Sequence, residues 1–287
     1  MAIHDQSYAP WSGTVASRGS RIRAMIGMEL LQPFRNLWIL LIIIMAFMIV
    51  GSWMLLLFFA ASQQVIPPQV IGNRIYREGF YNFFLFSMIL MVLSGTVGAS
   101  LIARDLRHHA LLMYFSRSIT RADYLAGKFL SLVLFLLFVT LGPGLLLFMG
   151  QLGMGQEKVT FGQRLADLGA ITLHSLILTV PMSAVVLAFS SVTKRAYVAS
   201  ILWATFFFSS LAFSDILYKV LRKDWCKMVN WMNLTAHLGD LCYPRRGASP
   251  PRILECGWVE PLTILSAITL FSLTVVWLRI RSVEAGE

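Results

Sequence analysis

The 287 residues contain few side chains whose type and spacing could support catalysis. A phosphate-binding P-loop needs a glycine five residues before its Gly-Lys-Ser/Thr end. Gly127-Lys128 is followed by Phe129, and Ala122 stands where that glycine would be. The chain therefore has no P-loop, and we expect no ATP binding or hydrolysis by that route.

Six long apolar stretches, 37–61, 80–103, 129–150, 168–191, 196–214 and 261–278, contain a single Asp, Glu, Lys, Arg or His side chain, which is His174. Ion-coupled transporters place relays of ionisable residues in the membrane. Intramembrane hydrolases need a nucleophile with a base, or paired carboxylates. A single histidine provides neither arrangement, so we interpret His174 as structural and predict that this chain is not an enzyme.

The cysteines Cys226, Cys242 and Cys256 all fall in the last polar segment. In an oxidising compartment they would allow one disulfide and leave one thiol over. Together with His237 they are spaced Cys-x10-His-x4-Cys-x13-Cys, which matches no compact zinc pattern. His108-His109 is interpreted as a polar surface pair, and no metal site is predicted.

The apolar stretches that surround these residues predict the fold. Charged residues make up 13% of the chain, against about 25% in soluble domains. Each stretch is close to the ~20 residues that cross a ~30 Å hydrocarbon core as a helix. We predict an all-α membrane protein with six transmembrane helices. The spans are expected at 37–61, 80–103, 129–150, 168–191, 196–214 and 258–279.

The placement of Lys and Arg predicts the topology. Thirteen of them lie in the leader, the second–third link, the fourth–fifth link and the tail, against four in the opposite short links. Because such residues favour the cytoplasm, both termini are expected there, in a plasma (bacterial inner) membrane. By alternation of the spans, the 219–257 segment lies on the opposite side, yet it carries seven more Lys and Arg residues. The side of the membrane on which this segment lies therefore stays open. A nucleic-acid binder would not scatter its charge between apolar blocks.

Residues 1–36 form a cytoplasmic leader before the six-span domain of 37–287. The second half of the leader has apolar side chains at helical offsets, with Glu29 on another face, and Pro33 ends or kinks the helix. We predict an amphipathic interfacial helix; a soluble helix packed on a partner is the alternative. The residues that define it are Ile22, Met25, Ile26, Glu29 and Leu30.

The links at 104–128 and 219–257 also contain helical signals. In the first, an apolar run at 111–115 suggests a short cytoplasmic helix that docks a partner. Thr120 and Asp123 follow at capping-box spacing. In the second, apolar residues at helical offsets predict one or two short interfacial or re-entrant helices before span six. Those residues are Leu221, Trp225, Met228 and Met232.

These segments together resemble the permease subunits of type-2 ABC exporters. Such proteins have an amphipathic first helix, six spans, a coupling helix in the first cytoplasmic link and an outer re-entrant hairpin before the last span. Many relatives have proline where Ser118 stands. The resemblance is carried by Glu29-Leu30, Arg35-Asn36-Leu37-Trp38, 103–107, 114–121 and 124–128.

The resemblance implies an export permease with no cofactor of its own. A separate ABC ATPase subunit would hold ATP and Mg, and a second copy or a homologous permease would complete the path through the lipid. No nucleic acid is expected as a partner. The residues implied in ATPase coupling are Arg104, Asp105, Arg107, Leu111, Leu112, Tyr114, Phe115, Arg117 and Arg121.

Two other functions remain open at this point. A membrane anchor or assembly factor would recruit soluble partners through the same link. An autonomous channel or secondary transporter would need more intramembrane charge than these spans contain. The sequence does not indicate the substrate, nor whether the pair is a homodimer or a heterodimer.

Overall fold

The computed structural model describes residues 17–62, 81–115, 119–153, 160–243 and 256–284. Within these segments there are nine α-helices and two short 3-10 helices, and no strand. Six of the helices are long and apolar enough to cross a membrane. The protein is an all-α membrane protein with six spans, as its sequence predicts.

The spanning helices follow the predicted order and reach past each predicted C-terminal end, although the second begins four residues later than predicted. They are α2 (Leu37–Ser62), α3 (Phe84–Arg107), α5 (Arg121–Gly153), α6 (Phe161–Val192), α7 (Ala196–Leu221) and α9 (Val259–Glu284). The shorter elements are α1 (Arg18–Leu31), α4 (Ala110–Phe115), α8 (Trp231–Cys242) and the 3-10 helices Pro33–Arg35 and Asp224–Val229. The predicted ends followed the apolar runs, whereas backbone hydrogen bonding continues into the polar headgroup layer.

The start of α5 differs most from the prediction, because the helix begins at Arg121 rather than near residue 129. The predicted capping box explains this start. The Asp123 N–H donates to Thr120 Oγ1 at 3.2 Å, and the Thr120 N–H donates to Asp123 Oδ2 at 3.4 Å. This reciprocal pair satisfies N–H groups that have no partner inside the helix.

Helices α3 and α6 pack most deeply, and a small residue lets them approach closely. A Cβ on Gly98 would lie 2.6 Å from Val186 Cγ1 and 2.7 Å from Leu132 Cδ2, so only glycine fits there. The Ser190 hydroxyl of α6 donates to Ala99 O at 2.8 Å and accepts from two N–H groups of the last turns of α3. These contacts fix the register of the two helices.

The short helices cover opposite ends of this bundle. We call the membrane face that holds α1 and α4 the α1 face, and the opposite one the α8 face. Pro33 follows α1 in a 3-10 helix, so α1 ends where the sequence predicts. The one or two short helices expected in the 219–257 segment are the 3-10 helix Asp224–Val229 and α8.

Candidate functional site

Lys128 is one of the largest fully buried side chains among the described residues, with 1% of its surface exposed. It lies near the start of α5, at the α1 face. Even after the protein relaxes around it, a buried unpaired ammonium costs roughly several kcal/mol. Such a group therefore persists only with carboxylate partners. The elements around Lys128 provide two.

The ammonium of Lys128 joins three helices. Its Nζ lies 2.5 Å from Glu29 Oε1 of α1 and 2.9 Å from Asp105 Oδ2 of α3. Asp105 Oδ2 also accepts a hydrogen bond from the Tyr124 hydroxyl at 2.7 Å. We call Lys128, Glu29, Asp105 and Tyr124 the Lys128 cluster. The two carboxylates exceed the one ammonium, so the ionised cluster carries a net negative charge.

Tyr114 connects the Lys128 cluster to α4. Its ring centroid lies 5.6 Å from that of Tyr124, and the two rings are tilted by 48°. Burial raises the pKa of the Tyr114 phenol above its ordinary value, while the nearby Lys128 charge opposes the shift. Tyr114 therefore packs into the protein as a neutral side chain, in contact with the Tyr124 ring of the cluster.

A second set of contacts fastens α1 to α5. Arg18 Nη2 lies 2.6 Å from Asp123 Oδ1, and hydrogen bonding to this carboxylate is the main cause of a raised Arg18 pKa. Farther along α1, Met25 packs directly on Gly127, whose missing side chain leaves room for it. The first helix is thus held at Arg18, Met25 and Glu29, over about three turns.

A basic cleft opens beside α4 at the same face. It has a volume of about 540 Å³ and is lined by Arg107 of α3, by Lys194 and Arg195 of the α6–α7 link, and by Tyr197. All four side chains are exposed. Arg195 donates to the Tyr197 hydroxyl at 3.0 Å. Three cations from two separate links therefore face solvent together, an arrangement suited to an acidic partner surface.

The residues predicted for ATPase coupling divide into inward and outward groups. Asp105 and Leu111 point inward; Leu111 is only 1% exposed and belongs to the core. Arg104 Nη2 donates a hydrogen bond to Gln32 Oε1 at 2.8 Å, which joins the last turn of α3 to the end of α1. Arg107 is exposed and Arg121 is half-buried. Leu112 and Phe115 lie in α4, and Arg117 falls outside the described residues.

The predicted face of α1 needs one correction. Ile22, Met25, Ile26 and Leu30 are half-buried, as an amphipathic helix requires. Glu29 was expected to point away from the apolar side, but it turns into the protein and binds Lys128. The reason is tertiary: the energy of meeting a buried ammonium outweighs the hydration that an isolated amphipathic helix would give the carboxylate.

Sequence reasoning missed several functional candidates. In the sequence, Lys128 draws attention through the rejected P-loop match and the family motif, and Tyr124 through that motif. Arg18 is not singled out. Lys194 and Arg195 were counted for topology alone. Met113 of α4 is 65% exposed. The sequence does not single it out, because every residue of the run 111–115 is apolar and no side of the helix differs from another. Asp123 was predicted as a cap and also binds Arg18.

His174 lies at the other side of the bundle, fully buried in α6. Its ring centroid is 4.3 Å from that of Tyr81 and 5.8 Å from that of Tyr243. Gly239 of α8 sits directly on the imidazole. Burial raises the pKa of the Tyr81 phenol, whose oxygen lies 3.0 Å from Ser175 Oγ. The surroundings are those of a packed core histidine.

The three cysteines are free thiols, so the disulfide that the sequence would allow is not formed. Cys256 Sγ lies 3.4 Å from His237 Nε2, whereas Cys242 Sγ contacts the Leu238 carbonyl at 3.3 Å. The described part of the chain contains no cluster of three or more His, Cys, Asp or Glu side chains that could hold a metal ion.

Comparison with known proteins adds no relative. No protein-family model matches the sequence, and no curated protein is similar to it. The Lys128 cluster pairs charged side chains of α1, α3 and α5, so its geometry suits holding these helices together. Any functional conclusion must therefore rest on the residues of this chain and on their contacts.

Proposed function

We propose that this chain is the permease subunit of an ABC exporter, driven by a separate ATPase that docks on the link between α3 and α5. The observation that carries the proposal is the Lys128 cluster. It joins α1, the end of α3 and the start of α5, which are the three segments that border this link. Force applied to α4 would therefore move all three together.

The basic cleft supports the same proposal. Arg107 borders the coupling helix, and Lys194 and Arg195 belong to the next link at this face. Cations from both links would meet acidic side chains of a docked ATPase, and charge complementarity of this kind favours rapid and specific association. The exposed Met113 would supply an apolar contact beside them.

The spans suit a paired arrangement in the membrane. Helices α3 and α6 have most of their residues buried in the bundle, whereas few residues of α2 and α7 are buried. A second copy or a homologous permease would share the membrane with this chain and line the path with it. The termini would be cytoplasmic and the membrane the plasma (bacterial inner) membrane, as the charge distribution predicts.

The deciding experiment pairs the chain with an ATPase that carries a Walker motif and is encoded beside it. Both would be co-expressed, purified together and placed in lipid vesicles, and ATP hydrolysis would be measured with and without the permease. We expect co-purification and a changed hydrolysis rate. The double variant Arg107→Glu/Lys194→Glu should weaken association about tenfold or more, because like charges then face each other.

Arg281→Glu is the matched control, since Arg281 is exposed near the end of α9 and outside both links. It should bind the ATPase like the unchanged chain. Hydrolysis that is identical with and without the permease would overturn the proposal. Association that persists while hydrolysis stays unchanged would favour the membrane-anchor function instead.

A further inference from the structure

A second cavity opens at the side of the bundle, near the α8 face. It has a volume of about 740 Å³ and lies between α7, the 3-10 helix Asp224–Val229, α8 and α9. Its walls include Phe213, Trp225, Met228 and Ile268. Volumes of this size are typical of sites that hold small organic ligands. We call it the lateral groove.

The lateral groove is apolar throughout. Its two serines, Ser209 and Ser210, donate their hydroxyls to the Phe206 and Phe207 carbonyls of α7, so neither hydroxyl is available as a donor. The wall residues Phe213 and Trp225 are both more than half exposed. Because α7 and α9 are spanning helices, such a surface meets hydrocarbon chains rather than water.

Exposed cations lie in the stretch of chain that joins two walls of the lateral groove. Between Phe213 on α7 and Trp225 on the 3-10 helix, the chain carries Lys219, Arg222 and Lys223. Lys219 is six residues beyond Phe213, which places it about 9 Å farther along the helix axis. Arg222 adopts a left-handed conformation with φ 53° and turns the chain back toward the groove.

The acidic residues nearby do not neutralise these cations. Asp224 pairs with Lys227 at 2.7 Å, and Lys227 also lies 4.4 Å from the centre of the Tyr218 ring. Asp215 is the other carboxylate of this stretch, so residues 215–227 keep an excess of two positive charges. Within the described residues, Lys219, Arg222 and Lys223 make no ion pair.

Topology does not account for this basic cluster. Helix α7 begins next to Lys194 and Arg195 and carries Lys219 in its last turn, so both ends of one span are basic. Lys and Arg near a membrane surface each contribute roughly 1 kcal/mol of attraction to anionic lipids. An apolar groove suits an acyl chain, and the cations farther along α7 suit a negatively charged headgroup. One class of ligand, an anionic lipid, has both of these parts.

We propose that the lateral groove binds one anionic phospholipid. An acyl chain lies against Trp225, Met228 and Ile268, and the phosphate binds Lys219, Arg222 and Lys223. The site does not depend on the ATPase or on the orientation of the chain, since all of its residues belong to this chain and lie near the α8 face.

Trp225 is a built-in reporter of this site. The purified chain would be placed in phosphatidylcholine vesicles that contain equal mole fractions of either brominated phosphatidylglycerol or brominated phosphatidylcholine. The quenching that belongs to Trp225 is the difference between the unchanged chain and Trp225→Phe. We expect phosphatidylglycerol to reach Trp225 with an apparent affinity about fivefold or more above that of phosphatidylcholine, the factor that one cation contributes.

Charge removal at the mouth separates the proposed site from ordinary lipid contact. Lys219→Gln/Arg222→Gln/Lys223→Gln should abolish the headgroup preference and leave quenching by phosphatidylcholine unchanged. Lys194→Gln/Arg195→Gln, at the other end of α7, should leave the preference intact. A groove-filling Ser209→Leu variant should reduce quenching by both lipids.

Three results would overturn the proposal. Equal quenching by the two lipids would mean non-selective lipid contact. Absence of quenching by either lipid would mean that protein, such as a second copy, covers the groove. A preference that survives the triple glutamine variant would mean that these cations do not bind the headgroup.

Discussion

Lys128 Nζ and Asp105 Oδ2 lie 2.9 Å apart, so the start of α5 and the end of α3 share one ion pair beneath the link that joins them. The two residues are separated in sequence by α4, yet the Lys128 side chain is only 1% exposed and the Asp105 side chain 14%. This contact makes the link a short bridge between two helices that are already fastened together. Displacement of α4 cannot be absorbed by separating them without breaking the Lys128 cluster.

The first prediction concerns the Lys128 cluster. Lys128→Met keeps the length of the side chain but leaves two buried carboxylates without their cation. We expect the free energy of unfolding to fall by about 3–5 kcal/mol, measured by thermal unfolding in detergent. The variant Glu29→Gln/Asp105→Asn/Lys128→Met removes all three charges and should recover most of this loss. Equal destabilisation of the single and triple variants would contradict the ion-pair account.

The second prediction concerns Gly239. An added Cβ at this position would overlap the buried imidazole of His174. Alanine normally favours a helix over glycine by about 1 kcal/mol, but here overpacking should destabilise the protein by about 1–3 kcal/mol. His174→Ala/Gly239→Ala should be more stable than the sum of the two single effects. Gly169→Ala is the control, because its Cβ would meet no atom within 4 Å.

The third prediction compares the cap of α5 with its ion pair. Thr120→Ala removes the side-chain oxygen that accepts from Asp123 N, and should cost about 0.5–2 kcal/mol. Arg18→Gln removes only the contact of a largely exposed guanidinium, so its effect should be smaller and should vanish at high salt. Unfolding at two salt concentrations distinguishes them. A salt-independent Arg18→Gln effect that exceeds the Thr120→Ala effect would refute this ranking.

The fourth prediction concerns the reactivity of Cys242. Burial, with a smaller contribution from the Asp240 charge, raises the pKa of this thiol to about 11. The thiolate is the reactive form, so less of it is present at neutral pH than for an ordinary thiol. With Cys226→Ser and Cys256→Ser in place, the iodoacetamide rate at Cys242 should rise about tenfold per pH unit from pH 8 to 10. In the folded protein, a reaction rate that levels off above pH 9 would contradict the raised pKa. Protein unfolded in detergent should show this levelling of the rate.

The helices could be predicted because lipid selects for length and apolarity, which are local properties. All six spans were found from the apolar runs, and Thr120 with Asp123 located the start of α5 more accurately than the apolar run did. Contacts between distant segments could not be predicted in this way. Glu29 precedes Lys128 by 99 residues, and nothing local indicates that the two meet.

A signal for Lys128 was nevertheless present in the sequence. It lies four residues from Tyr124 and four from Leu132, both of which are buried, so the helical period alone places Lys128 on the inner face of α5. A lysine at such a position needs a carboxylate partner, and the acidic residues next to this membrane face include Glu29, Asp105 and Asp123, of which Asp123 is already assigned to the helix cap. The turn at His109, with its positive φ of 55°, had no comparable signal.

The close packing of Gly239 on the His174 ring also has a consequence for biosynthesis. The ribosome adds 65 residues after His174 before Gly239 exists, which takes about 3–13 s at ordinary translation rates. Tyr81, made earlier, can shield one side of the imidazole during this interval, while the other side must be hydrated or held by the insertion machinery. The rate of translation between positions 174 and 239 therefore sets the shortest time for which the unfinished protein leaves that side of the ring without its native neighbour.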